Sequence, residues 1–141
     1  PPQDLAGLLT VLLAPYRSAG HDRLTIIGPS VLVENHAVTP IALTCHELAT
    51  NAAKYGALST EGGTVTVSIE ADDEDCAIEW RERGGPDVAS PCHSGFGSRL
   101  IALSIERQLG GTVEREWQEG GLVARLRMPR RALFRSAIEK I

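Results

Sequence analysis

Hydrophobic residues recur along the chain with two spacings, which together predict a mixture of helices and strands. Where apolar residues return every three or four positions, the period matches an α-helix, and Asp4 is placed to cap the first of these helices. Where apolar and polar residues alternate, as in 64–71, the period of two matches a half-buried strand. The patterns predict three helices: one after Asp4 that is ended by Pro15 and the stretch 18–20, one with Pro40 in its first turn that ends at Gly56, and one over about 98–109. They predict strands over 24–27, 31–33, 64–71, 76–82, 112–117 and 122–128.

Short turns between the predicted strands indicate the class of fold. Segments 24–27 and 31–33 flank a Gly-Pro-Ser turn and are expected to pair with each other. The four later strands predict two antiparallel hairpins, which exclude a doubly wound parallel sheet. We therefore expect one domain over residues 1–141 with an α/β fold: a two-layer α/β sandwich in which helices pack on one face of a mixed sheet of about five strands.

The end of the chain predicts one more helix, within residues 130–141. Its apolar positions follow helical spacing, at Phe134, Ala137, Ile138 and Ile141. This helix is expected to pack on its own domain, and docking of a partner or a second protomer is the alternative.

The second predicted helix has the most informative polar pattern. Glu47, Asn51 and Lys54 are four and three residues apart, so they share one helix face. A carboxylate, an amide oxygen and an ammonium in one row suit a metal-bound phosphate ester, whereas the alternative is a solvated polar face. Asn51 favours a site, because asparagine is unfavourable within a helix unless its side chain has another function. The opposite arc is apolar and predicts a buried face, comprising Ile41, Ala42, Cys45, Leu48, Ala49, Ala52 and Ala53.

A carboxylate also falls within an apolar strand pattern. Ile78, Trp80 and Glu82 share one face of the strand 76–82 by the period of two. A buried carboxylate needs partners, and a ligand with an exocyclic amino group could supply one. On the pattern alone, exposure at the end of the strand or pairing with an arginine is the simpler interpretation.

A glycine-rich turn before the third helix is a further candidate. Gly95 and Gly97 could let the backbone approach a ligand and direct helix N–H groups at an anion, with Arg99 adding charge in the first turn. Most such turns are ordinary, and no G-x-x-x-x-G-K-[ST] pattern occurs in the chain.

Composition excludes several classes of function. The net charge is −4, with 14 basic residues scattered among 18 acidic ones, so no nucleic-acid surface is expected. Cys45, Cys76 and Cys92 are far apart and form no C-x-x-C pair, which predicts reduced thiols in a cytoplasmic protein. No apolar run approaches the roughly 18 residues of a membrane span, so no membrane contact is expected. The chain begins at Pro1 without an initiator methionine and is expected to be a piece of a longer protein.

In order and spacing, three segments together resemble the ATP-binding domain of the GHKL superfamily, most closely that of HWE-class bacterial sensor histidine kinases. Segment 46–56, HELATNAAKYG, looks like the N box of that class. Segment 80–86, WRERGGP, looks like its W-x-E-x-G-G-P segment, and segment 95–101, GFGSRLI, like its second glycine box. The resemblance covers residues 3 to 129 and implies a Bergerat-type fold.

The resemblance implies ATP and Mg²⁺ as ligands and assigns roles to single residues. Asn51 would be the oxygen ligand of Mg²⁺, Glu47 would hold a water or act as base near the γ-phosphate, and Lys54 would bind phosphate. Glu82 would accept from the adenine amino group, and Tyr55 would line the cleft. The remaining implied positions shape the cleft and its lid: Gly84, Gly95, Gly97, Ser98 and Arg99.

The implied function is that of a protein-histidine kinase in two-component signalling. The γ-phosphate would pass to a histidine on a separate dimerisation and phosphoacceptor domain, and then to a response regulator. His21, His36, His46 and His93 offer no phosphoacceptor, so this chain is expected to bind nucleotide without phosphorylating itself. A nucleotide-dependent docking switch or degenerate kinase domain is the alternative, and an anti-sigma-factor type of serine kinase is disfavoured by the W-x-E segment.

The resemblance assigns no role to His46 and leaves only a short segment for the lid. His46 opens the N box, and a buried, hydrogen-bonded ring is the expected state for it. Segment 87–94 is only eight residues long and predicts a short lid.

Overall fold

One mixed sheet of five strands organises the domain in the computed structural model, which describes residues 3–17, 23–86 and 96–135. Its strands are Leu24–Ile27 (β2), Thr64–Ala71 (β4), Asp75–Arg83 (β5), Thr112–Gln118 (β6) and Gly121–Pro129 (β7). Their spatial order is β2, β4, β5, β7, β6, with β2 parallel to β4 and all other neighbours antiparallel. Gln3–Asp4 (β1) and Leu32–Val33 (β3) form a separate antiparallel pair.

Helices cover one face of this sheet. The described helices are Leu5–Leu13 (α1), Asn35–Lys54 (α2), Phe96–Leu109 (α3) and Arg130–Leu133 (α4). As predicted, Asp4 caps α1, since its Oδ2 accepts from the N–H of Gly7 at 3.2 Å. The apolar faces of α1, α2 and α3 pack with the inward side chains of the strands in one buried cluster. The predicted two-layer α/β sandwich is confirmed.

The two faces of the sheet differ in chemistry. On the covered face, β4 and β5 contribute alternating buried residues such as Val67 and Trp80, both fully buried. On the other face, Glu79 accepts from Arg81 at 3.0 Å and from Arg125 at 3.1 Å. The alternation therefore gives β4 and β5 an inward side that is mainly apolar and an outward side that is mainly polar or charged.

The predicted pairing of 24–27 with 31–33 is wrong. Strand β2 pairs with β4, and β3 pairs with β1. At Gly28, φ is +133° and an added Cβ would lie 2.2 Å from the carbonyl oxygen of Ile69, so the backbone passes too close to β4 for other residues. The chain then leaves the sheet, because Asp4 Oδ1 accepts from the hydroxyl of Ser30 at 2.8 Å and the N–H of Val31 at 3.2 Å.

Two helix boundaries and the exposure of one residue also differ from the prediction. Helix α2 begins at Asn35, so Pro40 lies in its second turn rather than its first. Ala53, expected in the buried arc, is exposed. At the chain end, α4 has only four residues, and Phe134 lies after it. The rest of the predicted C-terminal helix lies outside the described residues.

The described cysteines are buried thiols. Burial raises the pKa of Cys45 to about 12 and that of Cys76 to about 11, so both stay protonated at neutral pH. Both are free thiols, and Cys92 lies outside the described residues. Among the described helices, none has the length and apolar character that crossing a membrane requires.

Candidate functional site

Helix α2 and the ends of strands β5 to β7 enclose two adjoining pockets. The first lies against α2, and the second extends from it along the exit of β5 with a volume of about 330 Å³. This volume is at the lower end of the range for small-molecule sites, about 300–1,000 Å³. The first pocket is lined by Asn51, Tyr55, Gly56, Glu82, Arg115, Trp117 and Leu122, and the second shares Gly56, Glu82, Trp117 and Leu122.

Glu82 is the buried carboxylate of both pockets, with 4% of its surface exposed. Its Oε1 accepts from the N–H of Ala57 and its Oε2 from the indole N–H of Trp80, each at 3.0 Å. Burial raises the pKa of Glu82, and these two hydrogen bonds and the charge of Arg115 oppose that shift. Neither exposure nor an ion pair within the described residues satisfies this carboxylate, so the simpler interpretation of the pattern is wrong. The period of two places Trp80 beside Glu82, which gives the W-x-E spacing a physical reason.

Glycines make room for this carboxylate. An added Cβ at Gly56 would lie 2.2 Å from Glu82 Oε1. At Gly121, φ is +140° and an added Cβ would lie 2.9 Å from the carbonyl oxygen of Glu82. As predicted, α2 ends beside Gly56, with Lys54 as its last residue. Gly56 therefore both follows the helix end and lets the carboxylate approach it.

Arg23 holds the loop that supplies one of these hydrogen bonds. Its guanidinium donates to the carbonyl oxygens of Gly63 at 2.9 Å, Ala57 at 3.0 Å and Thr60. The same Ala57 donates its N–H to Glu82. Arg23 thus anchors Ala57, whose N–H orients the carboxylate, a role that the sequence pattern did not indicate.

The predicted polar row on α2 is divided among three environments. Asn51 is half-buried and lines the first pocket, and its side chain makes no hydrogen bond within the part of the chain that is described. Glu47 is held by Arg115, whose Nη2 donates to Glu47 Oε1 at 2.5 Å. Lys54 is exposed and has no ion-pair partner in 3–17, 23–86 or 96–135. The solvated interpretation therefore fits Lys54 but not the other two.

The remaining predicted positions lie at different distances from the pockets. Tyr55 lines the first pocket and is 46% exposed. Gly84 has a φ of +75° and shapes the exit of β5, while its neighbour Gly85 lines the second pocket. Gly97 lies within the first turn of α3 rather than before it, Ser98 lies in the same turn, and Arg99 is exposed there. Gly95 lies outside the described residues.

The β6–β7 hairpin contributes site residues that the sequence interpretation missed. Arg115 and Trp117 lie on β6, and Leu122 lies on β7. The available signal was the period of two, since Val113, Arg115 and Trp117 alternate with the acidic residues Glu114 and Glu116.

His46 lies outside the pockets. It is exposed, and its ring packs edge-on against Tyr16 with centroids 6.5 Å apart. The expected buried ring is therefore wrong.

The donor set suits a hard cation bound together with a ligand. Among the described residues, no group of three or more His, Cys, Asp or Glu side chains could hold a metal alone. Mg²⁺ commonly takes one or two protein oxygens and completes its shell with phosphates and waters. Asn51 lines the pocket and its side chain has no intramolecular hydrogen bond in the described part, so its amide oxygen could serve as one such protein ligand.

The chain is similar in sequence to proteins named blue-light-activated histidine kinases. The chain is 40% identical over 125 residues to blue-light-activated histidine kinase 1 of Erythrobacter litoralis (strain HTCC2594). The match covers 86% of this chain and 34% of that protein, so the chain spans about a third of its relative. No protein-family model matches the chain.

Solved structures share the fold. The catalytic domain of the histidine kinase ThkA superposes with a TM-score of 0.67 at 18% identity, covering 92% of this chain and 96% of that one. The ATP-binding domain of PrrB from Mycobacterium tuberculosis gives a TM-score of 0.67 at 21% identity, covering 91% and 95%. At these identities the likeness establishes the fold alone.

Proposed function

The chain resembles the catalytic domains of histidine kinases in sequence and fold, and on this basis we propose that it binds Mg²⁺-ATP and donates the γ-phosphate to a histidine on a separate phosphoacceptor domain. The observation that carries the proposal is that half-buried Asn51 and buried Glu82 line the same pocket, which adjoins the larger second pocket. One side chain suits a metal ion and the other suits an amino group, so the two ends of a metal-nucleotide complex find matching chemistry.

Each residue of the site would bind a different part of the nucleotide. Glu82 would accept from the adenine amino group, because its two intramolecular donors leave further lone pairs on the carboxylate free. Asn51 would hold Mg²⁺, which supplies neutralisation of phosphate charge when bound. Lys54, which is exposed and lies three residues after Asn51, would bind phosphate as a point charge. Tyr55 and Trp117 would line the base.

The reacting end requires positioning more than covalent chemistry. Phosphoryl transfer depends mainly on alignment and charge stabilisation. Glu47 would hold a water or act as base near the γ-phosphate. Gly84, Gly95 and Gly97 would shape the cleft and its lid, with Ser98 and Arg99 near the phosphates. The histidine acceptor, a downstream response regulator and a cytoplasmic location complete the proposal.

A thermal shift tests the nucleotide part of this proposal. Mg²⁺-ATP at about 100 times its Kd should add about 2.7 kcal/mol to the free energy of unfolding. For a domain of this size, that corresponds to a rise in Tm of about 5–10 °C. ATP with a chelator and Mg²⁺-GTP are the controls and should give smaller shifts. An unchanged Tm with saturating Mg²⁺-ATP would contradict nucleotide binding.

A further inference from the structure

Arg115 connects the edge strand β6 to the polar face of α2. We propose that Arg115 is a positioning residue for phosphoryl transfer, which orients the carboxylate of Glu47 towards the reacting end of the nucleotide. This inference rests on the function proposed above, and it adds a residue outside the three segments that carry the resemblance.

The ion pair is shielded from solvent. The side chains of Arg115 and Glu47 are 20% and 13% exposed, and their N–O distance is 2.5 Å. A charge-assisted hydrogen bond of this kind is stronger than a neutral one. A partly buried ion pair needs good geometry to offset the cost of desolvation. The orientations of its two side chains are therefore more constrained than in an ion pair on the surface.

The position of Arg115 in the sheet directs it at the site. It lies opposite Ala124 of β7, which lies opposite the fully buried Trp80 of β5, so all three are on the helix-covered face. Among the described residues that line the first pocket, Arg115 is the one with a positive charge. Arg115 interacts with two carboxylates. It forms an ion pair with Glu47, and its charge opposes the increase that burial causes in the pKa of Glu82.

The ion pair restricts a flexible side chain before the nucleotide arrives. A free glutamate side chain gives up about 1.5–2 kcal/mol of rotamer entropy when it is ordered. Since Arg115 already orders Glu47, a carboxylate one helical turn before Asn51 is held in a single direction. A catalytic group that is held in the reacting geometry accelerates the reaction, and a small displacement of that group can lower the rate by about 100-fold.

A matched control lies on the opposite face of the sheet. Arg125 on β7 also forms ion pairs, with Glu79 at 3.1 Å and Glu116 at 3.5 Å. Its side chain is 43% exposed, and it lines neither pocket described above. R125Q therefore removes an ion-paired arginine without touching the site.

The experiment measures transfer from labelled ATP by the 141-residue chain to a histidine-bearing phosphoacceptor domain of a related kinase, supplied in trans. We expect R115Q to lower the transfer rate at saturating Mg²⁺-ATP by about 10- to 100-fold, with a change in Kd for Mg²⁺-ATP below about threefold. R125Q should transfer at the wild-type rate. In an E47D background, whose carboxylate is one methylene shorter, adding R115Q should lower the rate by less than about twofold.

Each contrary outcome has a distinct meaning. A full additional loss in the E47D background, or a loss of ATP affinity at unchanged saturated rate, would overturn the positioning role. So would wild-type transfer by R115Q. If R115Q does not fold, R115K replaces it and should lower the transfer rate by a smaller factor. This decrease should also vanish in the E47D background, and a decrease that remains there would overturn the positioning role. No transfer by the wild-type chain overturns the proposed function itself.

Discussion

Replacing Asn51 by alanine is expected to abolish the Mg²⁺-dependent part of ATP binding and to leave the folded domain intact. Asn51 supplies the proposed protein oxygen for the metal, and Mg²⁺ tolerates little deviation from its octahedral shell. The side chain makes no hydrogen bond within the described residues, and alanine is the better helix former. The Tm without nucleotide should therefore stay the same or rise slightly.

Titration calorimetry with and without a chelator measures this effect. N51A should bind Mg²⁺-ATP at least about 100-fold more weakly than wild type, a loss of about 2.7 kcal/mol. N35A is the matched control, since Asn35 is exposed at the other end of the same helix. N51A with unchanged Mg²⁺ dependence would remove the role assigned to Asn51.

The second large effect is expected at Glu82. In wild type, its two oxygens accept from Ala57 and Trp80, and the adenine amino group would be a third donor. Glutamine offers one acceptor oxygen and places an amide NH₂ against one of these donors. We therefore expect E82Q to weaken ATP binding by about 10- to 100-fold, since hydrogen bonds to charged groups contribute about 1.5–3 kcal/mol. Equal ATP affinity of E82Q and wild type would contradict the adenine contact.

The same variant gives a pH dependence whose sign is set by the raised pKa of Glu82. A carboxyl group that binds its proton more tightly when folded stabilises the fold at low pH, and this contribution is lost as the pH rises above about 4.5 through the raised pKa. The free energy of unfolding of wild type relative to E82Q should fall over that range. Urea denaturation between about pH 4 and pH 8 measures this difference.

Glu79, on the other face of the same strand, should show the opposite sign. Burial raises its pKa, but hydrogen bonds and charges of Arg125 and Arg81 outweigh this effect and lower the pKa overall. Its contribution is present above the ordinary value and is lost as the pH falls through the lowered pKa. Wild type should therefore gain stability relative to E79Q as the pH rises. Parallel curves for E82Q and E79Q would contradict the two assigned environments.

Local patterns predicted most of the fold, because the periods of helix and strand are properties of short segments. Asp4 as a cap, the alternation in β4 and β5, and the last hairpin follow from neighbouring residues alone. The pairing of β2 did not, because parallel partners are distant in sequence and the short segment 31–33 carries no information about which strand it meets.

The candidate site shows the same division. Residues in the three recognised segments could be named from their order, and Asn51, Tyr55 and Glu82 do line one pocket. Arg115 could not be placed, because its contact with Glu47 spans 68 positions in the chain and depends on how the sheet faces α2. The position of Gly97 within α3 likewise follows from where the helix begins rather than from the G-x-G spacing.

The most direct test is the transfer of label from γ-labelled ATP to the histidine of a phosphoacceptor domain supplied in trans. The proposed function predicts acid-labile label on that histidine, dependent on Mg²⁺ and absent when the chain carries N51A. Tight binding of Mg²⁺-ATP by the wild-type chain, without label on histidine, would contradict the kinase assignment and favour a nucleotide-dependent docking switch.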